Sequence, residues 1–153
     1  MGGRRRRLTG SRVLCLSRGH LLLVEHRDPH HGGSYWVLPG GGREPGETFA
    51  EAAIREVREE TSLAVRVVRR LRVPAHQPDV TYALFLAEPV AHREARPLVD
   101  LRQEMYLLGA AWHPVTVDDP LGPLHEDYWG YLRPVVRGLL AIPERAGTPP
   151  SQT

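Results

Sequence analysis

The sequence predicts a layered α/β domain in which a mixed β-sheet lies between helices. Its 153 residues are enough for one domain with a hydrophobic core. Short apolar segments rich in β-forming residues recur between turns that contain glycine or proline, which is typical of strands. Two longer segments, 47–61 and 124–142, are predicted to be helices that interrupt the succession of strands.

Six strands are predicted from the short apolar runs. They are residues 12–16, 20–26, 35–38, 64–68, 81–87 and 107–115. Arg18 and Gly19 leave a two-residue turn between the first two strands, which predicts a hairpin. Pro39 and the three glycines at 40–42 stop the third strand and predict a loop.

The first helix has the clearest signals. Thr48 is the predicted N-cap, and Glu51 follows it at capping-box spacing. Ala50, Ile54 and Val57 recur at helical spacing, which predicts an apolar stripe on one face.

The end of the chain is predicted to hold the second helix and then a tail. Pro134 either kinks the helix at 124–142 or starts its better half. The aromatic residues of this helix are expected to be packing residues; they are Tyr128, Trp129 and Tyr131. Residues 143–153 are predicted to be a disordered tail.

Composition limits the class of protein. All 20 basic residues are Arg, and Lys and Asn are absent, a bias that favours a high-GC bacterial genome and says nothing about chemistry. Four consecutive arginines occupy residues 4–7, and a basic run of this kind is usually solvated. Residues 1–10 are predicted to be a flexible basic tail, followed by a single domain over residues 11–142. No nucleic-acid polymer is expected as a partner.

The apolar residues and the single cysteine predict a cytoplasmic protein. No stretch approaches the roughly 20 apolar residues that cross a bilayer, so no membrane partner is expected. The apolar run Val13–Leu16 is too short for a secretory signal. Cys15 is the only cysteine, so it forms no internal disulfide and is predicted to be a buried, inert thiol.

Three glutamates are predicted to project together from the first helix. Glu56, Glu59 and Glu60 lie three and four positions apart, so their side chains fall within about 100° of one another. Like charges at this spacing repel, and the helix dipole disfavours anions in the last turn. A hard divalent cation with oxygen ligands would relieve both effects. The alternative is a solvated acidic face paired with Arg55 and Arg58.

Residues 41–63 place this cluster within a longer pattern. The pattern is a glycine, five residues, a glutamate, seven residues, Arg-Glu, an aliphatic residue, one residue and Glu-Glu. It resembles the Nudix box of the Nudix hydrolase family. The preceding Trp36-Val-Leu-Pro-Gly-Gly-Gly is similar to the family's lead-in. One position departs: Ser62 stands where the family has glycine, and Leu63 supplies the final aliphatic residue.

The resemblance implies a Nudix-type α/β/α sandwich with a site for Mg²⁺ or Mn²⁺. The implied metal ligands are the carboxylates of Glu56, Glu59 and Glu60 and the carbonyl oxygen of Gly40. Ser62 puts metal affinity in question rather than the reaction type. In the left-handed conformation of the usual glycine, serine costs roughly 1 kcal/mol, unless the helix ends differently.

Other box residues carry implied roles. Glu47 and Arg55 resemble the family's internal ion pair, which orients the helix against the loop. Gly41 and Gly42 resemble glycines that let the backbone bend and approach a substrate phosphate. In the reaction that the resemblance implies, water attacks a phosphorus atom of the substrate and a carboxylate accepts the proton of that water. That general base is a box glutamate or a glutamate from a distant loop, where Glu104 is the candidate.

Residues outside the box are weighed as substrate contacts. Arg27 could bind a substrate phosphate, because guanidinium matches phosphate geometry. Tyr35 and Tyr82 could stack on a base, whereas Trp36 is expected to pack in the core. The histidines at 26, 30 and 31 are predicted to form a polar loop at the mouth of the pocket rather than a metal site.

Two functions follow from the resemblance. The first is divalent-metal-dependent hydrolysis of a pyrophosphate bond in a nucleoside diphosphate linked to another group, as in a nucleoside triphosphate or ADP-ribose. The alternative is a non-catalytic Nudix-fold module that binds a nucleotide as a sensor. Such modules usually lose box acids, and all of them are present here. The expected partner is a nucleotide-type small molecule, and a homodimer is a further prediction.

Overall fold

The computed structural model describes residues 7–73, 81–97, 106–125 and 130–142. The strands are β1 (Gly10–Ser17), β2 (His20–Arg27), β3 (Ser34–Val37), β4 (Gly40–Gly42), β5 (Val65–Leu71), β6 (Tyr82–Pro89) and β7 (Leu107–Pro114). The helices are α1 (Phe49–Thr61), a 3₁₀ turn (Gly130–Leu132) and α2 (Arg133–Leu140).

The described strands form one mixed sheet. Five of them lie side by side in the order β3, β2, β1, β6, β5, while β4 pairs with β1 and β7 pairs with β2. β1 and β6 run parallel, and the other pairs are antiparallel. β1 and β2 pair beside their turn, at Leu16–Leu21 and Ser17–His20. Beyond those pairs each strand takes different neighbours, so the two strands diverge.

The sheet is covered by one helix on each face. Along β1, Val13 and Cys15 pack on the side of α1 with Val57. Leu14 faces the opposite side, where it shares a core with Val136 of α2. Burial raises the pKa of the Cys15 thiol to about 12, which agrees with the prediction of an inert thiol. The α/β/α sandwich is therefore confirmed.

The start of α1 is confirmed in detail. The Thr48 hydroxyl accepts the amide N–H of Glu51 at 3.0 Å, and the Glu51 carboxylate accepts the amide N–H of Thr48 at 3.2 Å. Both bonds satisfy amides that the first helical turn leaves without a partner. The buried stripe differs from the prediction, because Ile54 is 39% exposed. Val57 is buried as predicted, and Ala53 is buried in place of Ile54.

The second helix is shorter than predicted. Leu124 forms a bridge with Trp36, and α2 begins at Arg133 with Pro134 in its first turn. Proline is tolerated there because the first turn leaves its amide positions without helical partners. The prediction that Pro134 starts the better half of the segment is confirmed, and the prediction of one helix from residue 124 is wrong.

Two loop predictions are also corrected. Residues 40–42 form β4 against β1, because glycines allow a backbone approach that side chains would block. β1 begins at Gly10, within the segment predicted as a tail. The amide of Thr9 already donates to the carbonyl of Thr81 at 2.7 Å.

Several predictions lie outside the described residues. They concern residues 1–6 and 143–153, Glu104, Tyr128 and Trp129. In the part of the chain that the structure describes, no helix is long and apolar enough to cross a membrane.

Candidate active site

The glycine strand β4, at the start of the Nudix-box pattern, pairs with β1. Gly40 has φ +150°, a conformation that residues with a Cβ rarely adopt. A Cβ at Gly40 would lie 2.1 Å from the carbonyl oxygen of Ser11. The site is therefore built on a backbone contact that only glycine permits.

Glu60 lies under this strand and is 5% exposed. Its Oε1 accepts the amide N–H of Gly40 at 2.9 Å, and its Oε2 lies 3.8 Å from Nε2 of His26. Glu60 falls on the same buried side of α1 as Ala53 and Val57, which lie seven and three positions before it. The carboxylate is thus fixed between the helix and the glycine strand.

Glu56 lies beside Glu60 and depends on the absence of a side chain at Gly41. A Cβ at Gly41 would lie 2.7 Å from the Glu56 carboxylate. Burial, and then the charge of Glu60, raise the pKa of Glu56 to about 7. The carboxylates of Glu56 and Glu60 are therefore both largely removed from water and close enough to repel each other, which costs electrostatic energy.

Arg55 ties the box together. Its guanidinium donates to both oxygens of Glu47, at 2.7 and 2.9 Å, and to the carbonyl of Gly42 at 2.9 Å. It also donates to Glu56 at 3.0 Å and to Glu59 at 3.3 Å. This bidentate pairing lowers the pKa of Glu47 to about 2. The ion pair expected between Glu47 and Arg55 is present.

The donor set fits a hard divalent cation. Glu56, Glu59 and Glu60 offer carboxylate oxygens on adjoining positions of one helix, and two of them repel each other. In the described ranges, however, no three His, Cys, Asp or Glu side chains lie together in an arrangement that could hold a metal ion. Arg55 holds Glu56 and Glu59, and the Gly40 amide holds Glu60. Metal binding would require these oxygens to turn toward a common point.

A cavity of about 360 Å³ opens where β1 and β2 diverge. The polar and aromatic side chains that line it include Arg12, His26, Asp28, Tyr35, Tyr82 and His125. His26 connects the cavity to the carboxylates, because its ring also lies next to Glu60. The cavity therefore opens directly beside the carboxylates of the first helix.

The proposed substrate contacts are distributed unevenly. Tyr35 and Tyr82 line the cavity, as their suggested stacking role requires. Trp36 packs at the edge of the core, with its ring 4.3 Å from that of His113. Arg27 has an exposed side chain at the end of β2, and it is not among the residues lining the cavity. Arg12 also lines the cavity, and no local sequence pattern indicates it, because its position next to Gly40 follows only from strand pairing.

A family model described as the NUDIX domain matches residues 6–133. The chain belongs to the Nudix hydrolase family. The box glutamates, the Arg55 ion pair and the glycine strand all lie within the matched residues.

Curated relatives agree with this membership. Over 109 residues the chain is 34% identical to the human 8-oxo-dGDP phosphatase NUDT18, covering 68% of this chain and 31% of that protein. It is 32% identical over 77 residues to an 8-oxo-dGTP diphosphatase of Proteus vulgaris, covering 48% of this chain and 69% of that protein. The chain thus spans about a third of the length of its human relative.

Solved structures share the fold of this Nudix chain. An ADP-ribose pyrophosphatase from Streptococcus suis superposes with a TM-score of 0.61 at 21% identity, covering 87% of this chain and 91% of that one. A UDP-X diphosphatase superposes with a TM-score of 0.60 at 18% identity, covering 91% of this chain and 64% of that one. At these identities the likeness concerns the fold alone.

Ser62 adopts the conformation of the usual family glycine. Its φ is 64°, and its amide N–H donates to the carbonyl of Arg58 at 2.9 Å, so the helix ends as it would with glycine. The Ser62 hydroxyl donates to the carbonyl of Arg96 at 2.5 Å. This bond fastens the connection after β6 to the end of α1.

Ser62→Ala is expected to destabilise the protein by about 1 kcal/mol, because it keeps the strained backbone and loses the hydroxyl bond. Ser62→Gly should be close to neutral, because relief of strain offsets the lost bond. Urea unfolding of the three proteins measures both changes. Equal destabilisation by Ala and Gly would contradict this account of the helix end.

The raised pKa of Glu56 predicts a pH dependence of stability in metal-free protein. Between pH 4.5, the ordinary value, and about 7, folded Glu56 holds a proton that the unfolded chain releases. The free energy of unfolding should therefore fall as pH rises through this window and level off above it. The measurement is urea unfolding with EDTA at several pH values, for wild type and Glu56→Gln.

The variant keeps all eight histidines, so the difference between the two proteins isolates the carboxyl group. Excess Mg²⁺ should flatten the wild-type slope, because a cation favours the charged carboxylate. Parallel pH profiles for wild type and variant without metal would show that Glu56 titrates normally.

Proposed function

We propose that this chain hydrolyses a pyrophosphate linkage within a nucleoside diphosphate joined to another group, with Mg²⁺ or Mn²⁺ held by the box glutamates. The observation that carries the proposal is the placement of Glu56 and Glu60 side by side beneath the glycine strand, next to the cavity. Buried like charges are stabilised by a divalent cation, and phosphates are the anions that such a cation binds.

The roles follow from the contacts. Glu56, Glu59 and Glu60 would hold the cation, with the carbonyl of Gly40 as a further oxygen ligand. When bound, the cation neutralises charge on the phosphate oxygens at the phosphorus under attack. Arg55, fixed by Glu47, holds Glu56 and Glu59 in the metal-free chain, and a bound cation would compete with it for their oxygens.

A glutamate takes the proton of the attacking water. Glu59 and Glu60 are the box candidates for this base, and Glu104 is the candidate outside the described residues. The general base is therefore one of Glu59, Glu60 and Glu104.

The cavity and the relatives support a nucleotide as the substrate. The human relative is named for 8-oxo-dGDP and the Proteus vulgaris relative for 8-oxo-dGTP. Tyr35 and Tyr82 offer aromatic surfaces in the cavity, and a base can stack on such a ring. An oxidised guanine nucleotide is therefore the first substrate to test.

The test is a panel of nucleotides incubated with Mg²⁺ and separated by ion-exchange chromatography. It should include 8-oxo-dGTP, 8-oxo-dGDP, unmodified nucleoside triphosphates, ADP-ribose, a UDP-sugar and a dinucleoside polyphosphate. The proposal expects cleavage between phosphates of at least one compound, a requirement for added divalent metal, and a loss of turnover in Glu59→Gln.

Glu88→Gln is the matched control. Glu88 is an exposed residue of β6 that forms an ion pair with Arg66 of β5, away from the box. The turnover of this variant should equal that of wild type. If the folded wild-type protein binds nucleotides but cleaves none of the panel with Mg²⁺ or Mn²⁺, the function is that of a binding module instead.

A further inference from the structure

Arg12 occupies the junction between the carboxylates and the cavity. It lies in β1, and its Nη1–H donates to the carbonyl oxygen of Gly40 at 2.8 Å. Its Cζ lies 5.0 Å from the centroid of the Tyr82 ring, in cation–π contact. The side chain is half-buried and lines the cavity. Two contacts on different strands thus fix where this positive charge lies.

Gly40 connects this charge to the glutamates. Its carbonyl oxygen accepts from Arg12, while its amide N–H donates to Glu60 at 2.9 Å. One residue therefore separates a fixed guanidinium from a buried carboxylate of the site. An anion bound near Glu60 through a cation, and extending into the cavity, would pass within reach of Arg12.

The chemistry of the guanidinium suits such an anion. A guanidinium has five N–H donors in a planar fork. One donor of Arg12 binds the carbonyl oxygen of Gly40, which carries no charge, so this bond does not neutralise the guanidinium. The Asp28 carboxylate in the same cavity is engaged in its own loop, where it accepts the amides of His30 and His31 at 2.9 and 3.0 Å. The charge of Arg12 is therefore available to a ligand in the cavity.

We propose that Arg12 is a substrate-positioning residue whose guanidinium binds an anionic phosphate oxygen at the junction of the metal site and the cavity. The proposal rests on the proposed function, because it assumes a diphosphate substrate. It gives Arg12 the phosphate contact for which Arg27 was a sequence-based candidate; the exposed side chain of Arg27 is not part of the cavity lining.

The first measurement is calorimetric binding of methylenediphosphonate in excess Mg²⁺. This probe keeps the diphosphate charge, has no base and cannot be hydrolysed. Arg12→Gln should raise its Kd at least about tenfold, because a charge-assisted hydrogen bond is lost. The Kd of Arg12→Lys should lie between those of wild type and Arg12→Gln, because a lysine keeps the positive charge but cannot make the paired hydrogen bonds of a guanidinium. Arg66→Gln, which removes an exposed arginine on β5, should bind as wild type does.

The second measurement separates positioning of substrate from support of Gly40. Electron paramagnetic resonance of Mn²⁺ without the diphosphonate reports the metal site alone. Removing a nearby positive charge should leave Mn²⁺ affinity unchanged or increase it. Weaker Mn²⁺ binding in Arg12→Gln would show that Arg12 only shapes the loop, and would overturn the proposal.

Kinetics distinguish the failure of this inference from failure of the proposed function. With whichever panel nucleotide wild type cleaves, Arg12→Gln should raise KM by about the same factor as the probe's Kd. Unchanged KM and unchanged diphosphonate binding would overturn the role of Arg12 and leave the hydrolase proposal standing. Absence of both cleavage and diphosphonate binding in wild type would overturn both.

Discussion

Replacing Glu60 with Gln is expected to lower kcat on the order of a thousandfold while the protein stays folded. Gln has the same shape, and its carbonyl oxygen can still accept the Gly40 amide N–H that Glu60 accepts at 2.9 Å. It lacks the negative charge that a divalent cation or a proton in transfer requires. The expected loss is therefore in catalysis rather than in the fold.

Steady-state kinetics with the substrate found in the nucleotide panel measure this effect. Circular dichroism and urea unfolding of the same sample check the fold. Glu88→Gln serves as the control for removing one negative charge from the surface. A Glu60→Gln enzyme that retains most of its kcat would remove Glu60 from the catalytic site.

Gly40→Ala is expected to destabilise the protein by more than about 3 kcal/mol. The added Cβ would lie 2.1 Å from the Ser11 carbonyl oxygen, which belongs to the backbone and cannot turn away. The φ of +150° adds strain for any residue with a Cβ. Relief would require β4 to separate from β1, which also frees the Gly40 amide from Glu60.

Gly42→Ala is the matched control for stability, because a Cβ there has no heavy atom within 4 Å among its described neighbours. Its free energy of unfolding should change by less than about 1 kcal/mol. Chemical denaturation of both variants measures the contrast. Similar stabilities for Gly40→Ala and Gly42→Ala would contradict the close packing of β4 on β1.

The parts of the fold that could be predicted depend on local patterns. Thr48 and Glu51 form the capping box that their spacing indicated, and the six predicted strands are present with shifted ends. Helical spacing places the box glutamates together, and the resemblance of residues 41–63 to the Nudix box indicated that they form a site. Their grouping needs no knowledge of the rest of the sheet.

The remainder depends on contacts between distant segments. Arg12 reaches Gly40 because β1 pairs with β4, 28 residues further along the chain, and no local pattern indicates that pairing. Ile54 is exposed although it continues the apolar spacing, because the sheet beneath α1 meets Ala53 in its place, beside the predicted Val57. Packing between elements decided both outcomes.

The most direct test of the central claim is anomalous diffraction from a crystal soaked in Mn²⁺. We expect an anomalous peak within coordinating distance of the carboxylate oxygens of Glu56 and Glu60, with Glu59 turned toward it and away from Arg55. The account would be contradicted by a crystal at saturating Mn²⁺ that shows no anomalous peak between well-ordered carboxylates. In that crystal Glu56 and Glu59 would still be bonded to Arg55, and Glu60 to the Gly40 amide.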